Sequence, residues 1–179
     1  MTQRDIDALT LCGEHYGAPY DLLAASMGVT ENRLYQIERR WRMDGLAANM
    51  RLAKMSWCWL TREGMATVGL KYAAGRPPLS RLAHIRAVLA ARLWLSGVPA
   101  WTQWQPWWQS ERRIRLGRPR SATGHVADAE IHWPDLEGSP YGGQIWGIEV
   151  ELTPKTIPRT AEIMTQNGRK GMAGGISAT

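Results

Sequence analysis

Residues 1–45 carry apolar side chains at the three- and four-residue spacing that is typical of helices. Arg4–Tyr16 predicts a first helix, and a short second helix follows Pro19 and ends at Gly28. Glu31–Met43 predicts a third helix, for which the hydroxyl of Thr30 supplies an N-cap oxygen. The buried stripe of this third helix is expected at three positions: Leu34, Ile37 and Trp41.

The opposite face of the third helix carries side chains that hydrogen-bond base edges and phosphates. They are Asn32, Arg33, Gln36, Arg39 and Arg40. After the helix, Met50–Lys54 and Ser56–Leu60 alternate with period two, which predicts a hairpin that would present Arg51 and Lys54 to phosphates. Together these elements predict a winged helix-turn-helix over residues 1–74 that binds double-stranded DNA. A plain helical domain with a solvated polar face is the alternative.

The segment Gly75–Pro78 predicts a stiff, exposed boundary, because each proline fixes φ and lacks an N–H group. After it, Leu79–Ser96 returns to helical spacing, with apolar positions at Leu82, Ile85, Leu89 and Leu93. We therefore expect a second domain over residues 79–165. The glycine-rich residues 166–179 predict a flexible tail.

Two later segments, Val126–Trp133 and Ile145–Leu152, alternate as strands do. The first places Asp128, Glu130 and His132 on one face, and the second places Glu149 and Glu151 together. Carboxylates on adjacent strands repel one another unless solvent or a cation lies between them. A metal ion there could activate water, with Lys155 assisting. Two ordinary solvent-facing strands are the alternative, and spacing does not decide between the two readings.

Composition places the chain among globular proteins, with 44% hydrophobic and 21% charged residues. The sequence lacks an apolar run long enough for a membrane helix and an apolar segment typical of a secretory signal. Cys12 and Cys58 are 46 residues apart in the sequence and form no CxxC motif, which argues against a disulfide framework and a structural zinc site. A cytoplasmic location without membrane partners is the expectation.

Charge is distributed unevenly along the second half of the chain. Residues 79–123 contain eight basic residues and one acidic residue, whereas residues 124–157 contain one basic residue and six acidic residues. This pattern indicates either a nucleic-acid surface beside a carboxylate cluster or two segments that attract each other. The basic block ends in an arginine run, Arg112–Arg120, which predicts a solvated loop suited to phosphate contact.

Four of the ten tryptophans lie in residues 101–108. Because the chain has no phenylalanine, core filling is the favoured interpretation, and base stacking is the alternative. The residues concerned are Trp101, Trp104, Trp107 and Trp108.

His125–Asp128 and Gly147–Lys155, following a winged helix, resemble the replication-relaxation family of mobile-element proteins and the PD-(D/E)XK nuclease-like core. The resemblance covers residues 4–164. It implies an α+β chain in which the winged helix precedes a small, truncated restriction-endonuclease-like αβ unit. In the nuclease pattern Asp128 and Glu149 are metal ligands for Mg²⁺, and a lysine should stand where Glu151 does.

The glutamate in place of lysine and the short tail favour a non-cleaving nuclease-like unit. The first hypothesis is therefore a DNA-binding protein of a plasmid, phage or integrative element, acting in replication, transfer or transcriptional control. Its partners would be double-stranded DNA and a second copy of the chain or other mobile-element replication or transfer proteins. The alternative is a Mg²⁺-dependent endodeoxyribonuclease that uses Asp128, Glu149, Glu151 and Lys155. A protein-interaction module is the third hypothesis.

Overall fold

The computed structural model describes residues 1–119, 121, 123–152 and 165, and the backbone of residues 175–178. The chain is α+β, and its elements group into two compact units, Met1–Ala90 and Ala91–Thr179. The first unit contains α1 (Gln3–Glu14), β1 (Ala18–Pro19), α2 (Tyr20–Met27), α3 (Glu31–Met43), β2 (Ala47–Leu52), β3 (Met55–Leu60) and α4 (Arg62–Thr67).

The three predicted N-terminal helices are confirmed, and their ends follow from side-chain chemistry. Thr2 and Asp5 form a capping box at the start of α1. The Thr30 hydroxyl accepts a hydrogen bond from the Arg33 amide, over 3.3 Å, at the start of α3. Gly28 ends α2 in the left-handed conformation, at φ 63°, which a residue without Cβ adopts freely.

The first unit contains an antiparallel sheet with strand order β1-β3-β2. The hairpin of β2 and β3 begins at Ala47, earlier than its predicted start at Met50. Lys54, expected at the end of a strand, instead lies in the two-residue turn with Ala53. Their φ values of 68° and 48° are those of the turn that matches the right-handed twist of adjacent strands.

Apolar positions of α1–α3 and the hairpin form the core of the first unit. The predicted stripe on α3 is confirmed, since Leu34, Ile37 and Trp41 are all buried. Thr61 caps α4 and accepts a hydrogen bond from the Gly64 amide, over 3.0 Å. A Cβ atom on Gly64 would lie 1.9 Å from the Leu46 carbonyl oxygen, so this close approach requires glycine.

The division between the units lies inside α5 (Leu82–Ser96), beyond the boundary expected at Gly75–Pro78. A 3-10 turn at Leu79–Arg81 precedes α5. Leu82 and Ile85 form a buried cluster with Leu52 and Trp57 of the hairpin. The start of α5 therefore belongs to the first unit, because burying apolar surface outweighs the local break that the prolines introduce.

The second unit contains a four-stranded sheet with strand order β4-β5-β6-β7, in which β7 runs parallel to β6 and the other pairs are antiparallel. Its elements are α6 (Pro99–Trp104), β4 (Trp107–Ser110), α7 (Glu111–Gly117), β5 (Ala129–His132), β6 (Ile145–Val150) and β7 (Gly175–Ala178). Within the described residues, no helix combines the length and apolar character needed to span a membrane.

Two features of the second unit correct the sequence predictions, and one strand was not predicted. The tryptophan-rich segment contributes strand β4, and the arginine run begins with helix α7 rather than a loop. Part of the predicted tail, Gly175–Ala178, is strand β7, because it satisfies the backbone groups along the outer edge of β6. The sequence also predicts a helix over Pro158–Met164, and these residues lie outside the part of the chain that the structure describes.

The alternation predicted for β5 and β6 is confirmed by burial. Trp108, Ile131 and Ile148, which lie on adjacent strands, are buried on one face of the sheet. Asp128, Glu130, His132 and Glu149 are partly buried on the other face. Leu152, the last residue of the predicted strand, lies past the end of β6 and is 55% exposed.

Candidate functional site

The exposed face of α3 carries the five side chains of this helix that the sequence singled out for DNA contact. Because the opposite stripe of α3 is buried, this face points to solvent. Arg33 Nη1 donates a hydrogen bond to Gln36 Oε1, over 3.0 Å, which orients both side chains on the surface. We call the exposed residues the α3 surface: Asn32, Arg33, Gln36, Arg39 and Arg40.

The hairpin adds two exposed cations to the same unit. Arg51 pairs with Ser56 across the strands, and Lys54 occupies the turn that follows β2. Both cationic side chains are exposed. Such a hairpin can hold cations against a phosphate backbone, because its strands keep the tip at a fixed distance from the helices.

Exposed apolar side chains accompany the α3 surface, and sequence reasoning missed them. Tyr35 is 54% exposed, Met43 is 76% exposed and Met50 on β2 is 48% exposed. Apolar side chains beside hydrogen-bond donors can contact the methyl group of thymine. The signal in the sequence was the position of Tyr35 and Met43 among the polar residues of α3.

A buried carboxylate lies directly beneath the α3 surface. The side chain of Glu38 is 0% exposed, and both of its oxygens lie near Arg42 Nε, at 2.9 and 3.0 Å. Asn49 Nδ2, on β2, donates to Glu38 Oε2 over 3.2 Å and to the Tyr20 hydroxyl of α2 over 2.7 Å. These four residues, which we call the Glu38 network, join α2, α3 and β2.

The Glu38 network also affects ionisation. Burial and the negative charge of Glu38 raise the pKa of the Tyr20 hydroxyl well above its ordinary value, although the hydrogen bond from Asn49 acts in the opposite direction. The sequence could have indicated that Glu38 is buried, because Glu38 stands four residues after Leu34 and three before Trp41. That spacing places it on the core-facing stripe, where an unpaired charge would not be tolerated.

The predicted carboxylates of the second unit lie close together along the strands. Glu111 N donates to the Asp128 carbonyl over 3.1 Å, and Asp128 N donates to the Ile148 carbonyl over 3.1 Å. Ala129, the next residue, also pairs with Ile148. Asp128 and Glu149 therefore lie opposite each other, next to the Ala129–Ile148 pair of β5 and β6.

Each of these carboxylates has a partner in the protein. Asp128 Oδ2 accepts a hydrogen bond from the Val150 amide, over 2.8 Å. Glu149 Oε1 lies 2.5 Å from His125 Nε2. Glu130 Oε2 lies 3.0 Å from His132 Nε2 on the same strand. The sheet face thus carries two His–Glu pairs rather than an open acidic cluster.

These contacts bear on the expected Mg²⁺ site, because a hard cation takes several oxygen ligands at once. Among the described residues, no three His, Cys, Asp or Glu side chains are grouped to hold a metal ion. Val150 and His125 each engage one oxygen of the two expected ligands, Asp128 and Glu149. Glu151 is partly buried, and Lys155, the expected assisting residue, lies outside the described residues.

The described arginines of the run are buried or contact nearby residues of the second unit. Arg112 is buried, Arg115 Nε lies 2.8 Å from Glu111 Oε1, and Arg118 Nη1 donates to the His125 carbonyl over 3.3 Å. The Arg113 guanidinium lies over the Trp107 ring, 4.6 Å from its centroid. Arg120 lies outside the described residues.

The tryptophans of residues 101–108 divide between core and surface. Trp108 is 3% exposed, as the core interpretation predicted, whereas Trp107 on β4 is 45% exposed. Trp101 and Trp104 on α6 are partly buried. The His132 ring lies 5.1 Å from the Trp107 ring, so Trp107 contacts both that ring and Arg113.

Comparison with protein-family models, curated proteins and solved structures found no match for the chain.

Proposed function

We propose that this chain is a DNA-binding protein whose first unit is a winged helix-turn-helix, with α3 as the recognition helix and the β2–β3 hairpin as the wing. One observation carries the proposal: a helix with a buried apolar stripe exposes a continuous set of Asn, Gln and Arg side chains and is followed by a hairpin that exposes two cations. An α-helix with its side chains is about as wide as the major groove of B-DNA, roughly 10–12 Å.

The side-chain chemistry of the α3 surface supports base reading. Arginine pairs in bidentate fashion with guanine, and asparagine and glutamine pair with adenine. The Arg33–Gln36 hydrogen bond limits the rotamers of both side chains, so less entropy is lost when they meet a base pair. Arg51 and Lys54 supply contacts that depend on phosphate charge and not on sequence.

The charge of the whole chain supports the same partner. A formal net charge of +6 at pH 7 favours association with a polyanion, and phosphate neutralisation releases counterions from DNA. Electrostatic attraction of this kind brings the protein onto DNA of any sequence. The α3 surface would then supply selectivity at the target site.

For the second unit we propose a nuclease-like αβ fold that does not cleave DNA. Its support is the resemblance carried by His125–Asp128 and Gly147–Lys155, together with the Val150 and His125 contacts that engage Asp128 and Glu149. A role in replication, transfer or transcriptional control of a plasmid, phage or integrative element follows from that resemblance.

Selection from random-sequence duplexes, followed by titration of the selected and bulk DNA, tests the proposal. The triple variant Arg33→Ala, Gln36→Ala, Arg40→Ala should lose its preference among sequences, because the base-contacting groups are gone. The matched control is Gln3→Ala, Arg4→Ala, Arg62→Ala, which removes the same residue types from exposed positions on α1 and α4. A parent that binds no duplex, or a triple variant as selective as the control, contradicts the proposal.

A further inference from the structure

We infer that Glu38 is a positioning residue for DNA recognition: without touching DNA, its network fixes the orientation of α3 against the hairpin and thereby determines sequence preference. The inference rests on the proposed function and goes beyond it, because none of the Glu38 network belongs to the proposed DNA contacts. The juxtaposition that carries it is a fully buried carboxylate of α3 hydrogen-bonded to Asn49 of β2.

Hydrogen bonds that join α3 to its neighbours include one between Trp41 and Asp5 of α1 and one from Asn49 of β2 to Glu38. Leu34, Ile37 and Trp41 bury their side chains through the hydrophobic effect, which is non-directional and tolerates small rotations of the helix about its axis. A hydrogen bond weakens steeply when its angle departs from linear. The Asn49–Glu38 bond therefore restricts the rotation that apolar packing leaves free.

Asn49 uses both amide hydrogens, one on Glu38 and one on the Tyr20 hydroxyl. Its position is therefore fixed from α2 as well as from α3. Arg42, one helical turn after Glu38, lies within 3.0 Å of both carboxylate oxygens. Because Glu38 is fully buried, losing these partners would leave a charge without compensation, so the network favours one arrangement of the three elements.

Hydrogen bonds to base edges require a more precise orientation of α3 than phosphate contacts do. The side chains that bind bases have to be held within about 0.5 Å and 10–20° of the geometry in which their hydrogen bonds form. A phosphate contact made by a long arginine or lysine side chain tolerates a larger displacement, because its attraction falls slowly with distance. Loss of the Glu38 network should therefore reduce selectivity while most of the bulk affinity remains.

The experiment uses the full chain and three variants: Glu38→Gln, Glu38→Ala and Asn49→Ala. The probes are the duplexes selected by the parent protein and bulk random-sequence duplexes, titrated at a temperature at which circular dichroism shows every variant folded. The control is Leu9→Ala, which opens a cavity in the α1 core and destabilises the unit without changing the Glu38 network.

We expect Glu38→Ala and Asn49→Ala to lower the ratio of selected to bulk affinity by about tenfold, which is the discrimination of about one base pair. The slope of log affinity against log salt should stay at the parental value, because no phosphate contact is removed. Glu38→Gln keeps an acceptor for Arg42 or Asn49, so it should lower the ratio of selected to bulk affinity less than Glu38→Ala does.

Two outcomes overturn the inference. The ratio of selected to bulk affinity stays parental in both alanine variants, whether or not both affinities fall in parallel, or Leu9→Ala lowers the ratio equally. In each of these cases the parent still selects its duplexes, so the proposed function stands. A parent that binds no duplex overturns the proposed function and the inference together.

Discussion

Asn49 on β2 donates a hydrogen bond to the carboxylate of Glu38 on α3, over 3.2 Å, and Glu38 is completely buried. This contact joins the helix with the proposed base-reading face to the hairpin with the proposed phosphate-binding cations. The two elements are also consecutive in sequence, separated only by residues 44–46. A short connection and a buried polar contact together hold α3 and β2 in one arrangement.

The first prediction concerns the hairpin cations. Arg51→Ala and Lys54→Ala should each weaken binding to all duplexes to a similar degree, because phosphate contacts carry no sequence information. Each variant should also reduce the slope of log affinity against log salt by about one. Titration across salt concentrations measures both effects. Lys71→Ala, an exposed cation elsewhere in the unit, serves as control. A changed order of preference among sequences would mean that the hairpin reads bases.

The second prediction concerns the start of α5. Leu82→Ala should lower the free energy of unfolding of the first unit by about 2–5 kcal/mol, because Leu82 is buried against Leu52 and Trp57. Urea denaturation measures the change. Leu79→Ala, at an exposed position three residues earlier, should change stability by less than about 0.5 kcal/mol.

The same contact predicts how truncated chains behave. Residues 1–98 should be more stable than residues 1–75, since the shorter piece lacks Leu82 and Ile85. Equal stability of the two pieces would return the domain boundary to Gly75–Pro78.

The third prediction concerns alkaline pH. Because the pKa of Tyr20 is raised in the folded state, the folded chain holds this proton more tightly than the unfolded chain does. The resulting stability is present below the ordinary pKa of 10.0 and is lost as pH rises above it. Tyr20→Phe should therefore show a shallower loss of unfolding free energy at alkaline pH than the parent, measured by urea denaturation.

Tyr35→Phe is the control for the third prediction, because Tyr35 lies 54% exposed on α3 and outside the Glu38 network. It should follow the parental pH dependence. An identical alkaline slope in Tyr20→Phe and the parent would show that the Tyr20 proton makes no contribution.

The fourth prediction concerns metal and cleavage. Mg²⁺ or Mn²⁺ should raise the melting temperature little, and plasmid nicking should not exceed background, because Val150 and His125 already engage Asp128 and Glu149. Glu151 adds negative charge, which repels a scissile phosphate. The measurement compares the parent with Asp128→Ala and Glu149→Ala, in metal and in chelator. Metal-dependent nicking that Lys155→Ala abolishes would favour the endonuclease hypothesis.

The sequence by itself determined the parts of this protein that depend on local interactions. Periodicity located α1, α2 and α3, and Thr30 marked the start of α3, because capping and amphipathic spacing act within a few residues. The same reasoning found the exposed face of α3 and the alternation of β5 and β6. The residue types along one helix or strand are enough to show which of its faces is exposed to solvent.

Only the tertiary structure decided where distant segments meet. Leu82 and Ile85 join the hairpin despite the prolines before them, and Gly175–Ala178 pairs with β6 across residues far away in sequence. The same holds for Asn49 and Glu38, whose contact requires β2 to return beside α3. No spacing rule encodes these contacts, because they depend on the burial and hydrogen bonding available only once the chain has folded.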